Sequence, residues 1–180
     1  MQPLIVLVGP TAVGKTELTI KLALHLSAQI ISSDSMQIYR GMDIGTAKPS
    51  LEERKGVPHL LIDVVTPDQP FTVANYQRHY KDVKNRLDTE GILPLLTGGT
   101  GLYIRAVTQG FIFPATPPHP ELRASLLLEA ETKGHQVLHQ RLQALDPDSA
   151  KKIHPQDLKR VLRALEVTII SGQPFSQQQK

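Results

Sequence analysis

The stretch Gly9-Pro10-Thr11-Ala12-Val13-Gly14-Lys15-Thr16 decides the fold class of this 180-residue chain. It follows an apolar run at residues 4–8 and precedes apolar residues at helical spacing up to Leu26. The spacing G-x-x-x-x-G-K-[ST] between a strand and a helix is typical of a phosphate-binding loop. Glycines let backbone N–H groups turn toward an anion, and the helix N-terminus adds positive partial charge. We predict that residues 9–16 bind phosphates, with Lys15 contacting them and the Thr16 hydroxyl as a Mg²⁺ ligand.

Composition indicates a soluble globular protein. Apolar residues make up 40% of the chain and charged residues 21%, and cysteine is absent. Disulfides, thiolate zinc sites and cysteine nucleophiles are therefore excluded. No apolar run has the length of a membrane span, and residues 1–3 lack the basic start of a signal peptide. We expect a cytoplasmic, monomeric protein that does not enter a membrane.

The first 112 residues alternate strand and helix patterns, which predicts a P-loop NTPase-like α/β domain with a parallel sheet flanked by helices. Predicted strands lie at residues 4–8, 29–33, 59–65 and 92–96, and predicted helices at 18–26, 50–55, 72–90 and 102–107. Pro94 cannot donate to a strand ladder, so its strand is expected to start there or to lie at the sheet edge.

Several segments that follow strands are candidate site residues, because ligands bind at the carboxyl ends of parallel strands. Asp34 is interpreted as a functional carboxylate, with a turn or cap role as the alternative. Asp63 ends an apolar run as a metal-holding carboxylate would, although such endings are common. Thr100 is expected to cap the next helix and face a ligand, with a structural turn as the alternative. The glycine-rich loop 39–49 is expected to line the site of a second substrate.

Strand patterns vanish after the proline-rich segment 113–120, so we predict an all-helical annex at residues 113–180 that is cut short. Residues 151–180 carry six basic side chains against two acidic ones, whereas residues 1–150 are nearly neutral. Lys159, Arg160 and Arg163 form one cluster on the last predicted helix. A basic face on a neutral body indicates a polyanionic partner, with a solvated helix face as the alternative.

These features leave two classes of function open. One is a small-molecule P-loop kinase that binds ATP and uses the annex as a lid. The other is an enzyme acting on nucleic acid, with the annex gripping the phosphate backbone. His135 and His139 have the spacing of a zinc pair, but no third ligand is evident, so we predict no metal there.

The chain resembles the tRNA dimethylallyltransferase family, also called tRNA isopentenyltransferases. The resemblance is carried by residues 9–16, 31–49 and 98–103 and by Ile153-His154-Pro155 with Arg160 and Arg163. It implies transfer of a dimethylallyl group from dimethylallyl diphosphate to N6 of adenosine 37, in the anticodon stem-loop of tRNA, with Mg²⁺ as cofactor. Members of the family are usually longer by more than a hundred residues, so whether this chain is active stays open.

The resemblance also implies roles for individual residues. Asp34 would be the general base, and Lys15 and Thr16 would hold the diphosphate and Mg²⁺. The residues that match positions of tRNA contact are Asp34, Ser35, Met36, Gln37, Thr100, Arg123, Lys159, Arg160, Val161, Leu162 and Arg163. The alternatives are an adenylate isopentenyltransferase acting on free nucleotide, a P-loop kinase, or a tRNA-binding remnant without activity.

Overall fold

The computed structural model describes residues 2–9 and 13–178, which form two compact units, residues 1–110 and residues 111–180. Pro10, Thr11 and Ala12 of the predicted phosphate loop lie outside the described residues, so the predictions about them stay predictions. Within the described ranges, no helix is both long enough and apolar enough to cross a membrane.

The first unit is built on a parallel four-stranded sheet, which confirms the predicted α/β class. The strands are β1 (Ile5–Val8), β2 (Gln29–Ser32), β3 (His59–Leu60) and β4 (Pro94–Gly98), in the spatial order β1-β4-β2-β3. The helices of this unit are α1 (Lys15–Leu26), α2 (Val73–Glu90) and α3 (Gly101–Thr108). Pro94 is the first residue of a central strand, so the strand-start prediction is confirmed and the edge-strand alternative is wrong.

Neighbouring residues of β2 point to opposite faces of the sheet and so enter different cores. Ile30 packs with Ile20 and Ala23 of α1 on one face, whereas Ile31 packs with buried residues of α2 and α3 on the other. On this second face Tyr76 stacks on Tyr103, with ring centroids 4.0 Å apart, and its hydroxyl donates to the Ser32 carbonyl at 2.9 Å. These contacts fix the end of β2, where the candidate carboxylate Asp34 begins its turn.

One predicted strand is too long and one predicted short helix is absent, and residues with left-handed backbone conformation explain both. The third strand stops at Leu60 rather than Val65, because Leu61 (φ 60°) and Asp63 (φ 57°) leave the extended region. Ser50 and Glu53 do exchange the hydrogen bonds of a capping box, at 2.7 and 3.2 Å. The chain nevertheless forms only turns there, since Lys55 has a φ of 50°.

The second unit is helical, as predicted. Its helices are α4 (Pro120–Lys133), α5 (His135–Leu145), α6 (Pro147–Lys152) and α7 (Leu158–Ser171), followed by a short 3₁₀ helix at Phe175–Gln177. Leu126, Leu138, Leu142 and Leu165 are buried in its core. The buried Asp146 caps α6 through the backbone N–H of Ser149 and accepts a bond from the Ser176 N–H at 2.8 Å. This hydrogen bond fixes the last described residues to the helical unit.

Candidate functional site

A cleft of about 180 Å³ opens at the carboxyl edge of the sheet in the first unit. Two groups of predicted site residues meet there: Gly14, Lys15 and Thr16 at the start of α1, and Asp34 and Gln37 after β2. Gly98, the last residue of β4, and Gly99 also line the cleft. Thr46, Ala47 and Pro49 of the loop 39–49 also line it, as do Ile30 and Ile62. The cleft therefore has a polar part near α1 and an apolar part near the loop.

The polar part depends on how α1 begins. Gly14 occupies the N-cap position with a φ of 81°, a conformation that glycine adopts without a steric cost. A Cβ atom added at Gly9 would lie 3.5 Å from Cδ of Lys15, so the loop brings its first glycine beside the lysine stem. The Thr19 hydroxyl donates to the Lys15 carbonyl at 2.6 Å and lies 3.3 Å from the Thr97 hydroxyl, which joins the first turn of α1 to β4.

Asp34 shapes the turn that follows β2. Its Oδ1 accepts hydrogen bonds from the backbone N–H groups of Met36 at 2.8 Å and Gln37 at 3.3 Å. The turn role that we set against a functional role is therefore present, and it orients the carboxylate while Asp34 also lines the cleft. Met36 is 45% exposed, so its side chain is open to a partner.

Thr100 does not cap α3 as expected. It stands at the N-cap position, but its hydroxyl accepts a hydrogen bond from the Ser35 N–H at 2.9 Å and donates to the Ser35 hydroxyl at 3.2 Å. The residue after β4 thus supports the segment after β2, two regions that are distant in the sequence. The residues around Thr100 favoured a cap, because the contact with Ser35 leaves no signal in the nearby sequence.

Gly98 lets β4 approach the segment after β2 very closely. Its φ is 154°, and a Cβ atom there would lie 2.5 Å from the carbonyl carbon and oxygen of Ser33. The Ser33 N–H donates to the Thr97 carbonyl at 2.7 Å, and its carbonyl accepts from the Thr100 N–H at 3.1 Å. These bonds hold the backbone next to Asp34.

Lys48 is a buried cation that the sequence analysis missed. Its side chain is 3% exposed, and its ammonium donates to Asp43 Oδ1 at 2.7 Å, to Asp63 Oδ1 at 2.6 Å and to the Tyr39 carbonyl at 2.8 Å. Burial disfavours its charge, but the hydrogen bonds with Asp43 and Asp63 outweigh that cost and raise the pKa of Lys48. Asp63 is therefore an ion-pair partner of Lys48 in this structure, and the metal-holding role that its position after an apolar run suggested stays a prediction.

The expected tRNA-contacting residues of the second unit differ in exposure. The Arg160 side chain is 72% exposed, with Asp157 at 3.3 Å, and Lys159 is exposed. Val161 and Leu162, in contrast, are buried in the helical core, so their side chains cannot provide the contact expected of them.

Arg123 and Arg163 converge on Glu166, whose side chain is fully buried. Arg123 donates twice to Glu166, at 2.8 Å each, and Arg163 donates once at 2.6 Å and once to the Thr116 carbonyl at 2.9 Å. Burial acts against the charge of Glu166, but the hydrogen bonds from Arg123, the His119 N–H and Arg163 prevail and lower the pKa of its carboxyl. A glutamate on an otherwise apolar helix face was the available sequence signal.

Tyr103 and His139 are two further residues whose protonation or metal binding matters for the choice of function. Burial, together with the charges of Tyr39 and Asp34, raises the pKa of Tyr103 to about 12, so this phenol stays neutral near Asp34. The Nε2 atom of His139 lies 3.1 Å from the Ala150 carbonyl and 2.9 Å from the Ile153 carbonyl, where it serves as a donor. Within the described residues, no group of three or more histidine or acidic side chains is arranged for a metal.

The comparison with protein families matches residues 37–180 to the model described as IPP transferase. A curated tRNA dimethylallyltransferase of Natranaerobius thermophilus is 50% identical over 99% of this chain and 54% of its own length. That of Bacillus subtilis is 49% identical over 99% of this chain and 57% of its own length. The chain thus spans about half the length of the curated relatives that it matches.

Solved structures agree with this likeness. The tRNA isopentenylpyrophosphate transferase of Bacillus halodurans is 44% identical, with a TM-score of 0.63 over 97% of this chain and 58% of that one. A eukaryotic dimethylallyltransferase acting on tRNA is 30% identical, with a TM-score of 0.79 over the whole of this chain and 45% of that one. The parallel sheet and the helical unit described above both fall within these matched regions.

Proposed function

The chain belongs to the IPP transferase family, and from this premise we propose that it transfers a dimethylallyl group from dimethylallyl diphosphate to N6 of adenosine 37 in tRNA. The observation that carries the proposal is the cleft, in which the start of α1 with Lys15 and Thr16 shares one cavity with the carboxylate of Asp34. An anion-binding end beside a carboxylate suits a reaction that expels diphosphate and removes a proton.

The polar end would receive the diphosphate. Lys15 and the N–H groups at the start of α1 supply positive charge where negative charge develops as the allylic C–O bond breaks. The Thr16 hydroxyl, a hard oxygen donor in the same cleft, would hold a Mg²⁺ ion. The chemistry that Mg²⁺ supplies there is neutralisation of charge on the leaving group.

Asp34 would receive the proton. The N6 amine of the target adenosine forms a bond to the allylic carbon while the bond from that carbon to the diphosphate oxygen breaks. The amine then carries an extra proton, which passes to the Asp34 carboxylate. Because Oδ1 of Asp34 is held by two backbone N–H groups, the carboxylate is oriented before substrate arrives. The adenine must leave the anticodon-loop stack to reach this position.

The helical unit would bind the anticodon stem. Lys159 and Arg160 are exposed on α7 and carry charge suited to phosphates. Arg123 and Arg163 are oriented by Glu166 and remain partly exposed, with 41% and 30% of their side chains accessible. Oriented guanidinium groups suit the bidentate geometry of phosphate better than mobile lysines do.

The test is to incubate the chain with dimethylallyl diphosphate, Mg²⁺ and unmodified tRNA, and to analyse the nucleosides by mass spectrometry. We expect N6-dimethylallyladenosine at position 37. Product formed from AMP instead of tRNA would identify an adenylate isopentenyltransferase. Phosphoryl transfer from ATP without any prenyl product would identify a kinase, and tRNA binding without product would leave a non-catalytic tRNA-binding chain.

A further inference from the structure

Lys48 is held by a complete set of partners. An ammonium group has three donors, and those of Lys48 meet Asp43, Asp63 and the Tyr39 carbonyl at 2.6–2.8 Å. We call Lys48, Asp43 and Asp63 the Lys48 clamp. The lysine is almost fully buried, whereas the two carboxylates are 61% and 41% exposed, so the charge at the centre of the clamp is the one removed from water.

The clamp joins two segments that line the cleft. Ala47 and Pro49 flank Lys48 in the sequence, and Ile62 precedes Asp63. These three residues provide much of the apolar part of the cleft. The Lys48 clamp thus lies directly behind that wall.

The backbone of both segments is in a conformation that needs support. Ala47, Leu61 and Asp63 have φ values of 49°, 60° and 57°, in the left-handed region that residues other than glycine rarely adopt. Such conformations persist only where surrounding contacts enforce them. The ion pairs of Lys48 act on both segments, and the Arg40 guanidinium adds a bond of 2.8 Å to the Asp63 carbonyl.

The same wall is held from inside the cleft by Gln37. Its side-chain amide donates to the carbonyls of Thr46 at 3.2 Å and Ala47 at 3.3 Å, and its oxygen accepts from the Ser32 hydroxyl at 3.1 Å. The wall is therefore braced by a neutral amide on the cleft side and by an ion cluster on the outer side.

We propose that Lys48 is a positioning residue that fixes the apolar wall formed by Ala47, Pro49 and Ile62, against which the prenyl part of the donor packs. The inference rests on the proposed function, because it takes the ligand of the cleft to be a prenyl diphosphate. Lys48 does not line the cleft and its donors are satisfied, so it acts through the wall and not by touching the donor. Its loss would weaken recognition of the prenyl group and spare recognition of the diphosphate.

The experiment measures binding of two probes to the chain in the presence of Mg²⁺, dimethylallyl diphosphate and inorganic diphosphate, by calorimetry. Lys48→Met keeps the stem of the side chain and leaves two carboxylates without their cation. We expect it to weaken binding of dimethylallyl diphosphate roughly tenfold or more and binding of inorganic diphosphate less than about threefold. Lys81→Met, which alters an exposed lysine of α2, is the matched control and should change neither affinity.

A second variant provides the test in case Lys48→Met does not fold. Asp63→Asn keeps an acceptor and a residue type that tolerates positive φ, so it weakens the clamp more mildly. We expect the same loss of selectivity at smaller size, and this variant decides the matter if Lys48→Met does not fold. Equal weakening of both probes, or unchanged selectivity, would show a structural role only and overturn the inference.

If the proposed function itself is wrong, the binding measurements give a different result. If the unaltered chain binds dimethylallyl diphosphate no better than inorganic diphosphate, the cleft does not recognise a prenyl group, and the inference falls with it. That result is read from the unaltered chain alone, before any variant is compared.

Discussion

Asp34 combines a turn-forming role with a position in the cleft, and the two roles use the side chain differently. The turn needs an acceptor at Oδ1 for the N–H groups of Met36 and Gln37. Proton removal needs a basic carboxylate. Asparagine retains the first property and loses the second, so one substitution separates them.

We expect Asp34→Asn to lower the rate of prenyl transfer by about 10²–10⁴-fold, because the general base is lost. Binding of tRNA should be nearly unchanged, since the turn 34–37 keeps its hydrogen bonds. Single-turnover formation of prenylated adenosine and a gel-shift measurement of tRNA affinity provide the two values. Asp82→Asn on the exposed face of α2 is the control, and a loss of affinity as large as the loss of rate would contradict a role as base.

Gly98 permits the close approach of β4 to Ser33, and a methyl group there has no room. We expect Gly98→Ala to lower the free energy of unfolding by about 2–4 kcal/mol, through the clash with the Ser33 carbonyl and the strain at a φ of 154°. Urea denaturation measures the change. Gly101→Ala is the matched control, because a Cβ at Gly101 meets nothing within 4 Å. Equal stabilities of the two variants would refute the argument.

At the scale of elements, the sequence predicts the ends of a helix or strand correctly where those ends depend on contacts between neighbouring residues. The capping box of Thr72 and Asn75 and the left-handed Gly91 delimit α2 as the sequence indicated. The third strand was predicted too long because it ends at left-handed residues whose contacts are distant in the sequence, such as the bond between Asp63 and Lys48, fifteen residues apart. The Thr100 hydroxyl was assigned to a cap because its partner Ser35 lies 65 residues away. Residues near the cleft were found from motifs, whereas the buried charges Lys48 and Glu166 were not, since burial of a charge is decided by distant partners.

The packing of α4 against α7 depends on Glu166, which receives both Arg123 and Arg163. We expect Glu166→Gln to lower the free energy of unfolding at pH 7 by about 2–3 kcal/mol, because it leaves two guanidinium groups without their counter-charge. Glu131→Gln, an exposed glutamate of α4, should have little effect. Thermal or urea unfolding gives the difference between these variants.

We also expect the effect of Glu166→Gln on stability to depend on pH. The pKa of Glu166 is lowered in the folded chain, so its contribution to stability is fully present above the unfolded pKa of about 4.3 and is lost as the pH falls through the folded pKa. The difference in stability between the unaltered chain and Glu166→Gln should therefore be constant from pH 7 to about 5 and shrink below about pH 4. A difference that grows toward acid would have the wrong sign.

At the scale of the whole molecule, the distribution of charge separates two kinds of arginine. The chain carries a net charge of +3, and its basic excess lies in residues 151–180. Arg160 is an exposed cation whose pairing with Asp157 contributes little to stability. Arg123 and Arg163 also neutralise a buried carboxylate, so their removal would affect folding as well as binding.

We expect Arg160→Ala to weaken tRNA binding and to reduce the slope of log K against log salt by about 0.7–0.9 for each phosphate that the variant no longer neutralises. Stability should not change. Filter binding at a series of salt concentrations measures the slope, and Arg78→Ala on α2 serves as a control with an exposed arginine of the first unit. An unchanged slope would show that Arg160 does not contact a phosphate of the nucleic acid.

The Gln37 side chain links two parts of the molecule that would meet different substrates under the proposed function. Gln37 itself belongs to the segment 34–37 that is expected to meet tRNA, and through the carbonyls of Thr46 and Ala47 it is bonded to the wall of the cleft. Under the proposed function, a ligand that shifts either side acts on the hydrogen bonds of this one amide. We therefore expect occupancy by the prenyl donor and occupancy by the nucleic-acid acceptor to be thermodynamically coupled, in which case each alters the affinity for the other by the same factor.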